Sequence, residues 1–127
     1  MRILRNFSLK NHNSFGIGVR ADRFISVEDV DDLRAILRKS YASELFILGG
    51  GSNMLLTDDI HKTVLHIGLK GKEIISETED EVLVRAFAGE NWHEFVLWSL
   101  DNNFGGLENL SLIPGNVGTA PIQNIGA

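Results

Sequence analysis

The chain has 127 residues, 43% hydrophobic and 23% charged, which is the size and composition of one globular domain with a core of its own. Its net charge is −5 and no basic cluster exceeds Arg38–Lys39, which argues against nucleic acid as the partner; the lack of cysteine excludes disulfides and thiolate metal sites. No stretch reaches the ~20 apolar residues of a membrane span, and the opening MRILRNFSLKNHNSFG lacks a signal-peptide core, so a soluble cytoplasmic protein without a membrane partner is expected.

Residues 1–20 are polar and turn-rich, with Asn11, Asn13, Ser14, Gly16 and Gly18. Arg23–Val27 (RFISV) reads as a short strand. Glu28–Lys39 predicts a helix: Val30, Leu33, Ile36 and Leu37 share one face, with acids in the first turn and bases in the last, as the helix dipole favours. Leu45–Leu48 is an apolar run that leads into three glycines, the signal of a buried strand ending in a loop. Met54–Thr57 and Thr63–Ile67 read as strands around a turn at Asp58–Asp59. Glu73–Ser76 and Val82–Ala86 read as strands joined by the acidic, solvated turn Glu77–Glu81. Glu90–Asn103 predicts a second helix, its inner face formed by Trp92, Phe95, Val96, Ser99 and Leu100; Trp98 falls off that face. The order β-α-β-β-β-β-β-α gives an α/β or α+β domain, read here as α+β (α/β-like).

Two stretches carry chemistry. The first is Gly49-Gly50-Gly51-Ser52-Asn53, directly after the buried strand. Successive glycines expose N–H groups and reach positive φ, so the loop suits an anion such as phosphate. It is neither a P-loop, because no Lys follows, nor a dinucleotide-binding G-x-G-x-x-G turn, because Asn53–Thr57 is not helix-like. Two readings stay open on spacing alone: an anion cradle, or a tight turn between strands.

The second is Gly105–Ala127, GGLENLSLIPGNVGTAPIQNIGA. It holds both prolines and five of the thirteen glycines, but Glu108 is its one charged residue. Ile113-Pro114-Gly115 reads as a turn, and Asn116–Ala120 can enter a helix with Pro121 tolerated in the first turn. Thr119, Gln123 and Asn124 can hydrogen-bond a polar heterocycle, which favours a buried polar ligand over a loop that packs only on its own protein. The end at Gly126–Ala127, without a cap or polar tail, reads as a boundary inside a larger protein. His12, His61, His66 and His93 show no metal-ligand spacing, and no metal is expected; His93, beside Trp92, reads as structural or exposed. No Ser/His/Asp constellation emerges from spacing.

NSFG at Asn13–Gly16, LGGGSN at Leu48–Asn53, AGENWHEFV at Ala88–Val96 and GLENLSLIPGNVGTAPIQNIGA at Gly106–Ala127 resemble the UDP-N-acetylenolpyruvoylglucosamine reductase family, in the same order and spacing. The resemblance implies the FAD-binding fold of the vanillyl-alcohol oxidase type, here truncated. Residues 1–68 would form a first FAD-binding subdomain and residues 69–127 the start of a second, with the substrate domain absent. It implies that Gly49, Gly50, Gly51, Ser52 and Asn53 wrap the FAD pyrophosphate. Ile113, Pro114, Gly115, Gly118, Thr119, Ala120, Ile122, Gln123, Gly126 and Ala127 would line the isoalloxazine and ribityl chain. NADPH would reduce FAD, and the reduced flavin would deliver hydride to the enolpyruvyl group of a nucleotide sugar. The family's catalytic serine, arginine and glutamate fall beyond Ala127, so no catalytic residue is assigned here. The chain alone is expected not to turn over and to hold FAD weakly. Thr119-Ala120 replaces the Ser-Ser often seen in related sequences, removing one hydroxyl. A non-catalytic flavin- or nucleotide-binding module, or another flavin oxidoreductase of this fold, is the alternative.

Overall fold

A computed structural model describes residues 2–125. The first part is a mixed sheet flanked by a helix on one face and by irregular chain on the other. Strands β1 (Ile3–Ser8), β2 (Arg20–Val27), β3 (Leu45–Leu48) and β4 (Ile60–Ile67) form one four-stranded sheet in the order β1-β2-β4-β3. β1 runs antiparallel to β2, while β2·β4 and β3·β4 are parallel. Along β2 and β4 the side chains alternate between two cores, as a pleated strand buried on both faces requires. Phe24 and Val64 point into one core; Ile25 and Leu65 point into the other.

Helix α1 (Val30–Lys39) covers the second core with Val30, Leu33 and Ile36. Asp29 caps it: its carboxylate accepts the Asp31 N–H at 2.7 Å and the Asp32 N–H at 3.3 Å, satisfying donors a helix start leaves open. Leu37, expected on the buried face, is 51% exposed and takes no part in this core.

The first core is closed by chain that is not strand. Leu9, Ile17, Val19, Met54 and Leu56 pack on Phe24, Leu48 and Val64. Met54–Thr57 is therefore not the strand its alternation predicts. Met54 and Leu56 do point inward and Leu55 outward, but no neighbouring strand hydrogen-bonds to them. Burial alone satisfies the pattern. Asp58–Asp59 accordingly ends an irregular segment, and Asp59 Oδ1 accepts the Arg20 N–H at 2.7 Å at the start of β2. The opening is not only turns, since β1 occupies it as an edge strand. Arg20 ties the two strands by donating from its side chain to the Asn6 side-chain and backbone oxygens.

The second part contains the hairpin β5 (Lys72–Glu77) and β6 (Val82–Ala86), which form a separate two-stranded sheet. Its tip is closed by the Thr78 N–H donating to Glu81 O at 2.9 Å. Helix α2 (Trp92–Asp101) follows, capped by Asn91, whose Oδ1 accepts the Glu94 N–H at 3.0 Å. Phe95, Val96 and Ser99 are buried as expected, but Leu100 is 42% exposed. Trp92 and Trp98 are linked through the Phe95 ring between them, at centroid distances of 6.0 and 5.9 Å. Among the described residues no helix is long and apolar enough to cross a membrane.

Candidate functional site

The two Gly-rich stretches, far apart in sequence, meet in space. A Cβ added at Gly49 would lie 2.7 Å from Thr119 Cγ2; one at Gly50 would lie 3.0 Å from Asn116 Oδ1; one at Gly115 would lie 2.9 Å from Ser52 Oγ. The first and last are closer than real Cβ atoms come and the second is tighter than nearly all, so the bare glycines let the two loops dock without those side chains having to shift. The sequence suggests glycines cleared for a ligand. In the structure their vacant sides are filled by protein.

Gly51 has φ +67, and a Cβ there would sit 2.0 Å from the His12 carbonyl oxygen. The NSFG turn is held against it: the Ser14 N–H donates to Gly51 O at 3.0 Å. Buried Asn13 fixes that turn, its amide donating to Leu9 O at 2.8 Å and Ile17 O at 3.0 Å while Oδ1 accepts the Ile17 N–H at 3.0 Å. With the loop braced this way, the N–H groups of Gly50, Gly51, Ser52 and Asn53 donate to no protein acceptor among the described residues. A run of such donors in one turn is a site for an anion.

The AGENWHEFV segment holds the second stretch in place. Gly118 N–H donates to Ala88 O at 3.0 Å, Val117 N–H to Glu90 O at 2.8 Å, and Trp92 N–H to Gly115 O at 3.0 Å. Side chains add to this: Trp92 Nε1 donates to Leu110 O at 2.8 Å, and His93 Nδ1 accepts the Leu112 N–H at 3.0 Å. His93 is thus structural. Gly118 abuts Ala88 so closely that a Cβ would fall 2.6 Å from the alanine methyl. The helix expected at Asn116–Ala120 is a 3-10 helix over Val117–Ile122, with Pro121 inside it rather than at its first turn.

Glu90 anchors this segment. Its carboxylate accepts the Gly71 N–H at 2.7 Å and the Lys72 ammonium at 3.0 Å. Burial alone would raise its pKa; the Gly71 and Lys72 hydrogen bonds and the Lys72 charge outweigh that and hold it below the ordinary carboxylate value.

Thr119 is engaged locally. Its hydroxyl donates to Asn116 O at 3.0 Å and accepts the Asn116 N–H at 3.3 Å. A hydroxyl has one proton, so it cannot also donate to a ring without breaking this contact. Thr119→Val, which keeps the shape, is expected to cost about 1 kcal/mol of stability, read from urea unfolding curves.

Cavities flank the glycine loop on both sides. A small one of about 60 Å³ is lined by Gly49, Gly51, Ser52 and Asn53 with Met54, Thr119, Ile122 and Gln123. A cleft of about 340 Å³ lies on the other side, lined by Asn11, His12, Gly49, Gly50, His66, Lys70, Asn91, Glu94 and Asn116 among others. Asn11, His12, His66, Lys70 and Asn91 carry no sequence signal of a site; Asn116 lies within the second stretch. The cavity of about 360 Å³ at the start of α1 carries Glu28, Asp29 and Asp32 against Arg2, the wrong charge balance for a diphosphate.

Of the residues expected at the site, Gly49–Asn53, Gly115, Thr119, Ile122 and Gln123 come together around the loop. Ile113 and Ala120 are half-buried and Pro114 is exposed, with none of the three lining either cavity; Gly118 serves the backbone contact with Ala88. Gly126 and Ala127 lie outside the described residues.

An anion-receptive loop at the end of a strand in a mixed sheet is thus docked to an amide-rich second loop. The chain belongs to the FAD binding domain family, which matches residues 21–127, and FAD is its cofactor. The donor set fits that group, with backbone N–H groups for the diphosphate and amides and apolar residues around it.

Particular relatives are more specific. The chain is 64% identical over 127 residues to the UDP-N-acetylenolpyruvoylglucosamine reductase of Flavobacterium johnsoniae, covering 100% of this chain and 38% of that protein. It is 48% identical over 129 residues to the protein of the same name from Pseudomonas aeruginosa, again 100% of this chain and 38% of that one. The crystal structure of the Thermus caldophilus UDP-N-acetylenolpyruvylglucosamine reductase superposes with a TM-score of 0.73 at 27% identity, covering 100% of this chain and 44% of that one. The chain thus spans a little over a third of the length of the curated relatives it matches.

Proposed function

We propose that this chain is the N-terminal FAD-binding part of a reductase that converts UDP-N-acetylglucosamine enolpyruvate to UDP-N-acetylmuramate with NADPH. The reaction serves peptidoglycan synthesis in the cytoplasm, and through it cell-wall biogenesis, cell shape and division. The observation that carries the reading is the 64% identity, over all 127 residues, to a reductase of that name. When bound, FAD supplies hydride transfer between the nicotinamide and the substrate double bond.

The chain's own residues bind and orient. Gly49–Asn53 offer backbone donors to the diphosphate. Gly115, Thr119, Ala120, Ile122 and Gln123, with Ile113, Pro114, Gly118, Gly126 and Ala127, form the wall toward the flavin. Thr119 acts there by holding Asn116 and the loop shape, not by lending its proton. Residues 1–68, built on the four-stranded sheet, are one subdomain; residues 69–127, with the hairpin and α2, begin the second. No residue of the chain is assigned a catalytic role.

The test is NADPH oxidation by the full-length protein that carries this chain, with and without the enolpyruvyl nucleotide sugar, alongside its flavin absorbance. Substrate-dependent oxidation is expected. Bound flavin without it would point instead to a different flavin oxidoreductase or a non-catalytic module. The 127-residue chain alone is expected to show no turnover.

A further inference from the structure

The cleft beside the glycine loop contains two imidazoles to which the flavin reading gives no role. His12 ends the short turn Lys10–His12 after β1, and His66 lies near the end of β4. Their rings meet edge to face, with centroids 5.1 Å apart. Phe24 packs on both, at 5.0 and 5.8 Å, and Phe7 packs on His12 at 5.5 Å. Both line the cleft together with Gly49, Gly50 and Lys70. Each also touches the loop's scaffold: Gly51 packs on the His12 carbonyl, and His66 pairs in register with Leu48, the residue before Gly49.

We propose that the His12–His66 pair takes up one proton when a dinucleotide diphosphate binds at Gly50–Asn53, so that FAD binding is proton-linked. This rests on the FAD reading above.

In the ligand-free protein burial disfavours the charged form of both rings. Burial lowers the His12 pKa; burial, then His12 itself, and also Lys70 lower that of His66, outweighing the opposite pull of Glu28. The groups around the pair are Phe7 from β1, Phe24 and Ser26 from β2, Glu28 after β2, Lys70 after β4, and Glu94 of α2 on the same cleft. Gly50 belongs both to the donor run and to this cleft, so a diphosphate held at its N–H sets negative charge beside the pair, and a nearby opposite charge favours the imidazolium. One proton enters rather than two, because two imidazolium ions in edge contact repel. The proton belongs to the pair: at His66 the Ser26 Oγ 3.0 Å from Nδ1 can accept the added N–H and Glu28 favours the charge, while burial, His12 and Lys70 oppose it; at His12 burial alone opposes it. Affinity for the anion then rises as pH falls between the FAD-bound and free pKa values, by up to about tenfold per pH unit.

Calorimetry of FAD binding to the full-length apoprotein, near pH 6 in buffers of different ionisation enthalpy, reads the proton count directly. Uptake approaching one proton is expected with FAD and none with riboflavin, which lacks the diphosphate. Replacing both, His12→Asn with His66→Asn, should abolish the uptake and flatten the pH dependence. Either single variant should retain it and move the window to higher pH, because the repulsion is gone. Should the variants fold poorly, imidazole NMR titrations of the unmodified protein with and without FAD give the same answer: the titration of the His12–His66 pair should move to higher pH on binding. FAD binding without buffer-dependent heat, equal uptake with riboflavin, or a titration unmoved at both rings would each overturn the proposal. Absence of any FAD binding would sink the cofactor reading itself, and the proposal with it.

Discussion

Gly51→Ala is expected to destabilise the protein by roughly 3 kcal/mol or more and to remove FAD binding with it. Two costs combine. The residue sits at φ +67, a conformation that costs an L-residue about 1–2 kcal/mol. Its new methyl would also begin 2.0 Å from the His12 carbonyl oxygen, and backbone cannot swing aside as a side-chain tip can. Overpacking of this kind adds about 1–3 kcal/mol. Relief requires pulling the NSFG turn away, which breaks the hydrogen bond from Ser14 N–H to Gly51 O and moves the loop whose donors face the anion. Urea unfolding and flavin retention check the two parts separately. A variant within 1 kcal/mol of the parent would show that the two loops are not braced as described.

Glu90→Ala is expected to cost about 2–4 kcal/mol. The carboxylate is 8% exposed and its partner Lys72 is 23% exposed, so removing the acid leaves a largely covered ammonium and the Gly71 N–H without an acceptor. The partial exposure of Lys72 keeps the figure toward the low end of buried-pair losses. Glu90→Gln preserves one acceptor and should cost about half as much. The pH dependence has a definite sign. The folded-state pKa is lowered below the ordinary value of 4.5, so the stabilisation is present above that value and is lost as pH falls through the lower folded one. Unfolding curves for parent and Glu90→Gln should therefore be well separated at neutral pH and converge in acid. Because the Glu90 carbonyl also receives the Val117 N–H at 2.8 Å, weakening this anchor should loosen the second loop and reduce flavin affinity.

Both effects concern residues whose importance the sequence conveys unevenly. Gly51 stands in a visible triplet, and its loop reads at once as special. Glu90 looks like an ordinary acid at a helix start, and nothing local announces that Gly71 and Lys72 will close on it. The same division runs through the fold. α1 and α2 are legible because their apolar residues recur with helical period and their ends carry caps, Asp29 and Asn91. β6 is legible as a short run of β-branched and apolar residues between turns. β1 is not, since as an edge strand it needs few apolar residues and Arg5 and Asn6 interrupt its pattern. Met54–Leu56 has the alternation of a strand but meets a core rather than a partner.

At the site, the sequence by itself determined which two stretches would be glycine-rich, amide-bearing and nearly free of charge, and hence that an anion and a polar ring suit them. Those are properties of residue type, and residue type is local. Only the tertiary structure decided that Gly49 faces Thr119, that Gly50 faces Asn116, and that Ser52 faces Gly115. It alone set His12 against His66 beside the loop and committed the Thr119 hydroxyl to Asn116. Those facts depend on how the sheet and α2 bring distant segments together, and a close approach between distant segments leaves no mark on either one except the glycine that permits it.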